Sequence, residues 1–315
     1  MFTSVSIPAE RRVRRRWSRP AGKGRHLRAQ PGASVAAGRD PGRHLARALR
    51  ATVLLVFAIF FGLPLLWLVL APTRTDHELL TGPSFAFGSF HNVALAWQNL
   101  DSFGDHLYRR WLMNSLVYAL GATALTVATG IPAGYGLATG AFPGRRLILT
   151  LTLIAMLMPA TALVLPIFLE LNALHLIGSV FSVILPFAFF PFGVYLAYLY
   201  FATRLATGVL DAARVDGCGE WQVFFRVALP LAKPIVALVF FFSFAADWNN
   251  FFLPYVVLPD SAQYPVEVGL NDLLVSASRP MLALAALIAA LPVAVVFLVC
   301  QRALARGLVG GAAKS

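Results

Sequence analysis

The chain has 315 residues, of which 58% are hydrophobic and only 13% are charged, and its formal net charge at pH 7 is +12. Roughly a quarter of the residues in a soluble domain are charged, so a soluble protein of this size could not bury so much apolar surface. The composition excludes an ordinary soluble protein and predicts a membrane protein if the apolar residues form runs of membrane length.

The first 50 residues form a basic segment. They contain thirteen Lys or Arg residues against only Glu10 and Asp40, and they lack apolar periodicity. We predict that residues 1–50 are a disordered cytoplasmic tail that contacts anionic lipid headgroups. A nucleic-acid partner is not favoured, because no folded motif or aromatic interleaving accompanies the charge. A cleaved signal peptide is not expected either, since the first apolar run starts only at residue 51.

Six apolar runs of membrane length follow this tail. A helix needs about 20 apolar residues to cross the hydrocarbon core, where every backbone group must be hydrogen-bonded within the protein. We therefore predict an all-α, polytopic bundle of six transmembrane helices. The runs cover residues 51–71, 113–137, 147–169, 179–201, 232–254 and 281–300. Prolines and glycines interrupt several runs, and small residues such as Gly134 and Gly136 are expected to let helices approach closely.

The positions of Lys and Arg predict the orientation, because cytoplasmic loops are enriched in both residues. With the N-terminus in the cytoplasm, the inner segments hold 22 of the 26 Lys and Arg residues. The outer segments hold only Arg74, Arg109, Arg110 and Arg279. We predict that both termini are cytoplasmic. The two cysteines then lie on or near the reducing side, where no disulfide is expected, and no Cys or His spacing predicts a metal site.

The segment 202–231, between the fourth and fifth runs, is unusual for a connector. Asp211 opens a short stretch of helix-forming residues, and Asp216-Gly217 is a turn signal. The spacing i, i+3, i+4 and i+7 then predicts one apolar helix face, formed by Trp221, Phe224, Phe225 and Ala228. We predict a helix–turn–helix elbow on the cytoplasmic surface.

This elbow resembles the EAA signature of bacterial ABC importer permeases, which reads Glu-Ala-Ala, three residues, Gly, nine residues, Ile-x-Leu-Pro. Every spacing is kept, with Asp in place of Glu and Val in place of Ile. The matching residues are Asp211, Ala212, Ala213, Gly217, Val227, Ala228, Leu229 and Pro230. Four further segments resemble the maltose/oligosaccharide-type carbohydrate subfamily in the same order. They are residues 133–146, 156–179, 247–258 and 302–315.

The resemblance implies a type I ABC importer permease fold, with a transmembrane core at 113–301. A first helix and outer loop at 51–112 precede the core, and a cytoplasmic tail at 302–315 follows it. The implied function is import of a sugar or sugar-like solute across the bacterial inner membrane. The implied partners are a second permease subunit, two ATPase subunits and an extracytoplasmic solute-binding protein.

The resemblance also implies that this subunit is not an enzyme, and that ATP and Mg²⁺ bind to the partner ATPase. In agreement, the sequence contains no G-x-x-x-x-G-K-[ST] phosphate-binding loop. We therefore expect no cofactor on this chain. A secondary transporter or channel remains the alternative, but it would need intramembrane charge relays or inverted repeats, which the sequence does not display.

The resemblance implies that the elbow docks on the ATPase. Asp211 and Asp216 would pair with basic groups of that subunit, Arg214 would pair with acidic ones, and Gly217 would permit the tight turn. The predicted coupling residues are Asp211, Ala212, Ala213, Arg214, Asp216, Gly217, Trp221, Phe224, Leu229 and Pro230. A hairpin that only rests on lipid headgroups is less favoured, because the charges of the loop are mixed in sign.

The fifth apolar run contains the predicted substrate path: Asp247, Trp248, Asn249 and Asn250. An ionisable residue inside a membrane helix is costly, which makes Asp247 a functional candidate. Aromatic faces, amides and carboxylates are also the groups that bind sugars. A structural role, in which Asp247 pairs with a neighbouring helix, is equally compatible with the sequence.

Overall fold

The computed structural model describes residues 41–205 and 207–309. These residues form helices and no strand, which confirms the predicted all-α class. The α-helices are α1 (Pro41–Leu70), α2 (Asp76–Thr81), α3 (Phe90–Ser102), α4 (Leu107–Thr139), α5 (Arg145–Leu157), α6 (Val164–Ala173), α7 (Val180–Phe187), α8 (Pro191–Arg204), α9 (Thr207–Val215), α10 (Glu220–Gln222), α11 (Leu229–Leu231), α12 (Lys233–Trp248), α13 (Phe252–Val257), α14 (Val266–Ser276) and α15 (Arg279–Val309). Short 3₁₀ segments cover Ala71–Thr73, Ala160–Leu163 and Ser261–Gln263, and a π-helix covers Val223–Ala228.

Several of these helices are long and apolar enough to cross a membrane. Four single stretches qualify: Leu45–Thr73, Leu107–Thr139, Val180–Arg204 and Arg279–Leu304. Two more qualify as pairs that bend at a break, namely Arg145–Leu157 with Ala160–Ala173, by 101°, and Glu220–Leu231 with Lys233–Trp248, by 78°. Six crossings result only if each bent pair counts as one span, so the six-span count and the orientation stay predictions.

The third apolar run is broken because of a proline. Helix α5 ends at Leu157, and Met158 has an extended backbone with φ −75° and ψ 127°. Pro159 follows directly, and a residue that precedes proline is disfavoured in the helical conformation. The single helix predicted for residues 147–169 is therefore wrong, because the run contains two helices, α5 and α6.

Helices extend into both predicted tails. Helix α1 begins at Pro41, so the disorder predicted for residues 1–50 is wrong for residues 41–50, and the rest of that segment lies outside the described residues. Helix α15 continues to Val309, and the cytoplasmic tail at 302–315 stays a prediction. By its contacts the chain divides into two units, Met1–Val56 and Phe57–Ser315, and the described part of the first consists of residues 41–56.

Helix α4 is central to the second unit and packs most extensively against α8 and α12. Its N-terminal, middle and C-terminal parts contribute to three separate hydrophobic clusters. The cluster at its C-terminal end joins Tyr135 and Ile131 to Phe201 of α8 and to the buried residues of the elbow. The elbow is therefore continuous with the core of the membrane helices.

One polar face of α4 forms hydrogen bonds with the backbone of residues 261–266, which lead into α14. Trp111 Nε1 donates to the Ser261 carbonyl at 2.7 Å, and Tyr118 Oη donates to the Gln263 carbonyl at 2.9 Å. Between them, Asn114 donates to the carbonyls of Ala262 and Tyr264, and Ser115 Oγ accepts from the Val266 amide. These four side chains recur at i, i+3, i+4 and i+7, so one face of α4 fixes residues 261–266.

Gly134 lies at a close contact between α4 and α8. A Cβ at this position would lie 2.4 Å from the Ala197 Cβ and 2.7 Å from the Tyr198 amide nitrogen. At Gly136 no described residue comes within 4 Å of such a Cβ, so among residues 41–205 and 207–309 the close approach is found at Gly134 and not at Gly136.

We expect Gly134→Ala to push α4 and α8 apart and to lower the yield of folded protein, because the nearest contacts include backbone. Gly136→Ala adds the same methyl group to the same helix and should leave the yield unchanged. Size-exclusion chromatography of the detergent-extracted variants measures this yield. Equal yields for the two variants would contradict the inferred close packing.

Candidate functional site

The first half of the elbow is helix α9, and its second half is the segment Glu220–Leu231. The first half ends in a Schellman turn at Gly217. The Gly217 amide donates to the Arg214 carbonyl at 3.0 Å, and the Cys218 amide donates to the Ala213 carbonyl at 3.1 Å. Gly217 has a φ of +84°, the left-handed conformation that glycine adopts without strain. The turn predicted from Asp216-Gly217 is present, and its backbone requires glycine.

Arg214 connects the two sides of this turn. Its Nε and Nη2 donate to the two Glu220 carboxylate oxygens at 2.7 and 3.2 Å, and its Nη1 donates to Asp211 Oδ1 at 2.9 Å. The bond to Glu220, followed by the bond to Asp211, raises the pKa of the Arg214 guanidinium, so the side chain stays cationic. Such exposed pairs stabilise a fold by about 1 kcal/mol or less, but a bidentate pair fixes geometry. We call Arg214 and Glu220 the elbow brace.

The contacts of the elbow brace can be compared with the partners predicted for Arg214, Asp211 and Asp216. Arg214, predicted to pair with acidic groups of the ATPase, pairs within its own chain with Glu220 and Asp211. Glu220 was missed, although a signal exists: Arg214 and Glu220 stand three residues on either side of Gly217 with opposite charges. The pairing of Asp211 and Asp216 with a partner stays a prediction.

The second half of the elbow does not have the single apolar face that was predicted. Phe224 and Ala228 are buried, whereas Trp221 is 71% exposed and Phe225 is 56% exposed. The two exposed rings stack on each other, with their centroids 6.0 Å apart. Val223–Ala228 is a π-helix, in which the hydrogen bonds run from i to i+5, so the α-helical spacing no longer places the four residues on one side.

The buried side of the elbow packs on the ends of the membrane helices. The Phe224 ring lies 5.0 Å from the ring of Tyr135 in α4, which in turn lies 5.3 Å from Phe201 in α8. Tyr200 Oη donates to the Leu231 carbonyl at 2.8 Å. Tyr135, which packs between Phe224 of the elbow and Phe201 of α8, was not predicted, and the sequence contains no signal for this contact.

The other predicted coupling residues lie at the surface or near it. Asp211, Ala212, Asp216 and Pro230 are exposed, while Ala213 and Leu229 are half-buried. Val215, at the end of α9, is 87% exposed although it is apolar. The exposed surface of α9 and its turn is therefore small and acidic, with two exposed valines, Val209 and Val215, and its neighbours within the described residues do not cover it.

Asp247 is held by two hydroxyl groups. Its Oδ2 accepts from Thr123 Oγ1 of α4 at 3.2 Å and from Ser243 Oγ of its own helix at 3.1 Å. Both donors are almost completely buried. Within residues 41–205 and 207–309, Asp247 forms no ion pair. The carboxylate thus has one oxygen fixed between two helices, and Oδ1 accepts no hydrogen bond from the described residues.

The three residues after Asp247 are not brought to one surface. Trp248 is 1% exposed and donates from Nε1 to the Ala289 carbonyl at 3.1 Å, which is the behaviour of a core residue. Asn249 is exposed and donates to the Ala245 carbonyl of its own helix at 2.7 Å. The side-chain Nδ2 of Asn250 is buried without a hydrogen-bond partner among the described residues. The described part of the chain contains no group of three or more His, Cys, Asp or Glu side chains that could hold a metal ion.

Residues 130–310, which include the elbow and the Asp247 region, match the family model described as "Binding-protein-dependent transport system inner membrane component". The chain belongs to this family. The resemblance inferred from the EAA spacing is thereby confirmed, and the chain is a transport subunit of the inner membrane. The match covers more than half of the sequence and starts within α4.

Curated relatives agree with this assignment over most of their length. The arabinooligosaccharides transport system permease protein AraQ of Bacillus subtilis is 34% identical over 267 residues, which are 82% of this chain and 93% of that protein. The lactose transport system permease protein LacG of Rhizobium radiobacter is 29% identical, over 85% of this chain and 97% of that protein. The diacetylchitobiose uptake system permease protein NgcG of Streptomyces coelicolor is also 29% identical, over 82% and 86%.

A solved structure supports the fold. The crystal structure of a bacterial ABC transporter involved in the import of the acidic polysaccharide alginate contains a chain that aligns with a TM-score of 0.69. The alignment covers 83% of this chain and 97% of that chain, at 22% sequence identity. The likeness shows that this chain has the fold of an ABC importer permease.

Proposed function

We propose that this chain is the permease subunit of an ABC importer for a sugar or sugar-like solute, and that the elbow transmits ATP-driven movement to its membrane helices. The observation that carries the proposal is the Schellman turn at Gly217 within a segment that keeps every EAA spacing. The assembly would contain a second permease subunit, two ATPase subunits that bind ATP and Mg²⁺, and an extracytoplasmic solute-binding protein. The sugar class is supported by the names of the curated relatives.

The packing of the elbow provides a route for the movement. The exposed, acidic surface of α9 would contact the ATPase, while Phe224 on the opposite side contacts Tyr135 of α4. A displaced elbow would therefore move α4, because Phe224 and Tyr135 belong to one buried cluster. Helix α4 also carries Thr123, which donates to Asp247. One rigid helix would thus connect the ATPase contact to the proposed substrate path.

The proposed path uses the free oxygen of Asp247 and the exposed amide of Asn249. A carboxylate oxygen accepts hydrogen bonds from sugar hydroxyls, and the hydroxyls of Thr123 and Ser243 would hold it in place. Trp248 would support this site from the core and not touch the solute, since it is buried. We further propose six crossings with cytoplasmic termini and a core at 113–301. The pair Arg145–Leu157 and Ala160–Ala173 would form one broken span, and the run 232–254 would form the fifth crossing, with Glu220–Leu231 outside the hydrocarbon core.

The elbow brace gives a direct test of coupling. Arg214→Lys keeps the charge but loses the planar fork that contacts both Glu220 oxygens. We expect uptake to fall about fivefold, which corresponds to about 1 kcal/mol of lost preference for the braced turn. ATP-dependent uptake and ATP hydrolysis are measured on the same proteoliposomes, and hydrolysis should fall less than uptake.

The matched control for the brace is the exchanged pair Arg214→Glu with Glu220→Arg. It keeps the net charge of the turn and restores an ion pair of opposite direction, so it should recover part of the uptake that Arg214→Glu alone removes. If the exchanged pair were no better than the single variant, the brace would not be what positions the elbow.

Reconstitution tests the proposed function itself. The two permease subunits, the ATPase and the binding protein are placed in proteoliposomes, and uptake of the sugar that co-purifies with the binding protein is followed. We expect uptake only with ATP and with an ATPase that can hydrolyse it. Uptake that proceeds without the ATPase, or that follows an ion gradient, would support a secondary transporter instead.

A further inference from the structure

The charges of the elbow are segregated along the chain. Residues 207–220 contain three carboxylates and one guanidinium, whereas residues 221–246 contain no acidic residue at all. The cations of the second segment are Arg226 and Lys233, and both side chains are exposed. The mixed sign that argued against lipid contact for the elbow as a whole therefore does not apply to its second half.

The second half is also oriented differently from the membrane helix that follows it. Segment Glu220–Leu231 is bent by 78° from helix Lys233–Trp248. If α12 crosses the bilayer, a segment bent this far from it runs nearly parallel to the membrane surface. The segment is continuous with α12 through the single residue Ala232, so it starts at the level where α12 enters the lipid.

The exposed side of this segment is apolar and aromatic. Trp221, Phe225 and Leu231 are 71%, 56% and 51% exposed, while Val223 and Ala228 on the other side are completely buried. The Arg226 side chain makes no ion pair or hydrogen bond with any described residue. Aromatic side chains with flanking cations are typical of segments that lie in the interface of an anionic bilayer.

We propose that the side of Glu220–Leu231 that carries Trp221 and Phe225 lies in the headgroup region of the cytoplasmic leaflet, next to anionic phospholipids. Indole and phenyl rings are stable at this depth, and Arg226 and Lys233 attract the anionic headgroups. The elbow then has two partners: lipid contacts its second half, and the ATPase contacts the acidic surface of α9 and its turn. The lipid contact would hold the second half of the elbow in place while the ATPase acts on the first half.

This inference rests on the proposed function in one respect, namely that the elbow is on the cytoplasmic side and that its first half meets the ATPase. The chemistry favours lipid over the ATPase as the partner of the aromatic pair. A protein interface at this place would bury Arg226 and Lys233 and would need acidic partners for both. The bilayer supplies those negative charges and leaves the cations hydrated.

Spin labels test the proposal in the assembled transporter. In a background with Cys218→Ser and Cys300→Ala that retains uptake, a nitroxide is attached at Val215→Cys, Trp221→Cys or Phe225→Cys. The permease pair is reconstituted in phosphatidylglycerol vesicles, and the accessibility of each label to oxygen and to a water-soluble nickel chelate is measured before and after addition of the ATPase.

At positions 221 and 225 we expect oxygen access to exceed nickel access, with no change when the ATPase is added. At position 215 we expect nickel access that is lost on addition of the ATPase. Preferential nickel access at 225, or protection at 225 that appears only with the ATPase, overturns the lipid contact. An unchanged signal at 215 speaks against the proposed ATPase contact and leaves the lipid result readable by itself.

Vesicle composition tests the electrostatic part. When phosphatidylcholine replaces phosphatidylglycerol, the label at 225 should shift towards nickel access, and Arg226→Gln in phosphatidylglycerol should give the same shift. A label at 225 that is equally deep in both lipids, with and without Arg226, would show that the aromatic pair is not placed by anionic headgroups and would overturn that assignment.

Discussion

Replacement of Gly217 by valine is expected to abolish ATP-dependent uptake while the protein still inserts in the membrane and co-purifies with the second permease. Gly217 has a φ of +84°, and an L-residue in this region is strained by about 1–3 kcal/mol, with β-branched side chains affected most. No atom of the described residues lies within 4 Å of a Cβ built at this position, so the effect would come from the backbone and not from a clash.

Two control variants separate backbone strain from the loss of a contact. Gly217→Asn introduces a larger side chain that tolerates the left-handed region, so it should retain most of the uptake. Gly219→Val places the same valine two residues away, where φ is −68° and the part of the chain that the structure describes has no atom within 4 Å of the Cβ. It should behave like the unmodified protein. Normal uptake by Gly217→Val, or equal loss in Gly217→Asn, would show that the Schellman turn is not what couples the elbow to transport.

The turn was readable from the sequence because its determinants are local. Asp216-Gly217 lies between two short helix-forming stretches, and the conformation of a C-terminal helix cap depends on the residue at one position. The all-α class was also readable, since membrane-length apolar runs leave the backbone few alternatives. The break at Pro159 also has a local determinant, because the residue before a proline is disfavoured in the helical conformation, and so this break could have been predicted.

The buried and exposed faces of Glu220–Leu231, the second half of the elbow, could not be predicted from the sequence. The positions of Trp221, Phe224 and Phe225 fit an α-helical period, and the sequence contains no signal for the change to a π-helix at Val223–Ala228. That change sends Phe224 towards Tyr135 and leaves Trp221 and Phe225 outside. The side to which each of these rings turns depends on packing against α4 and α8. Parts of these helices are distant in sequence, so spacing alone could not predict it.

The predicted substrate path was too broad for a related reason. Four consecutive residues of an apolar run cannot all face one side of a helix, because successive positions differ by about 100°. Trp248 faces the core and donates to Ala289, whereas Asp247 faces Thr123 of α4. Of the four, Asp247 is the residue with a partly free carboxylate between two helices.

Asp247→Asn and Asp247→Ala are both expected to lower uptake at least tenfold without loss of the assembled transporter. A hydrogen bond to a charged group contributes about 1.5–3 kcal/mol, and the lower value already corresponds to about tenfold in rate. Asparagine keeps an oxygen that can accept from Thr123 and Ser243, and so it preserves the link between α4 and α12. It removes the negative charge that would hold a sugar hydroxyl.

Comparison of the two variants separates the two roles of the carboxylate. If Asp247 only joins the helices, Asp247→Asn should transport normally, and Asp247→Ala should reduce the amount of assembled protein. If it binds solute, both variants should assemble, hydrolyse ATP with the ATPase and fail in uptake. Thr123→Val is the matched control, because it removes one donor and leaves the charge in place. We expect it to lower uptake less than either Asp247 variant, since Ser243 still holds the same oxygen.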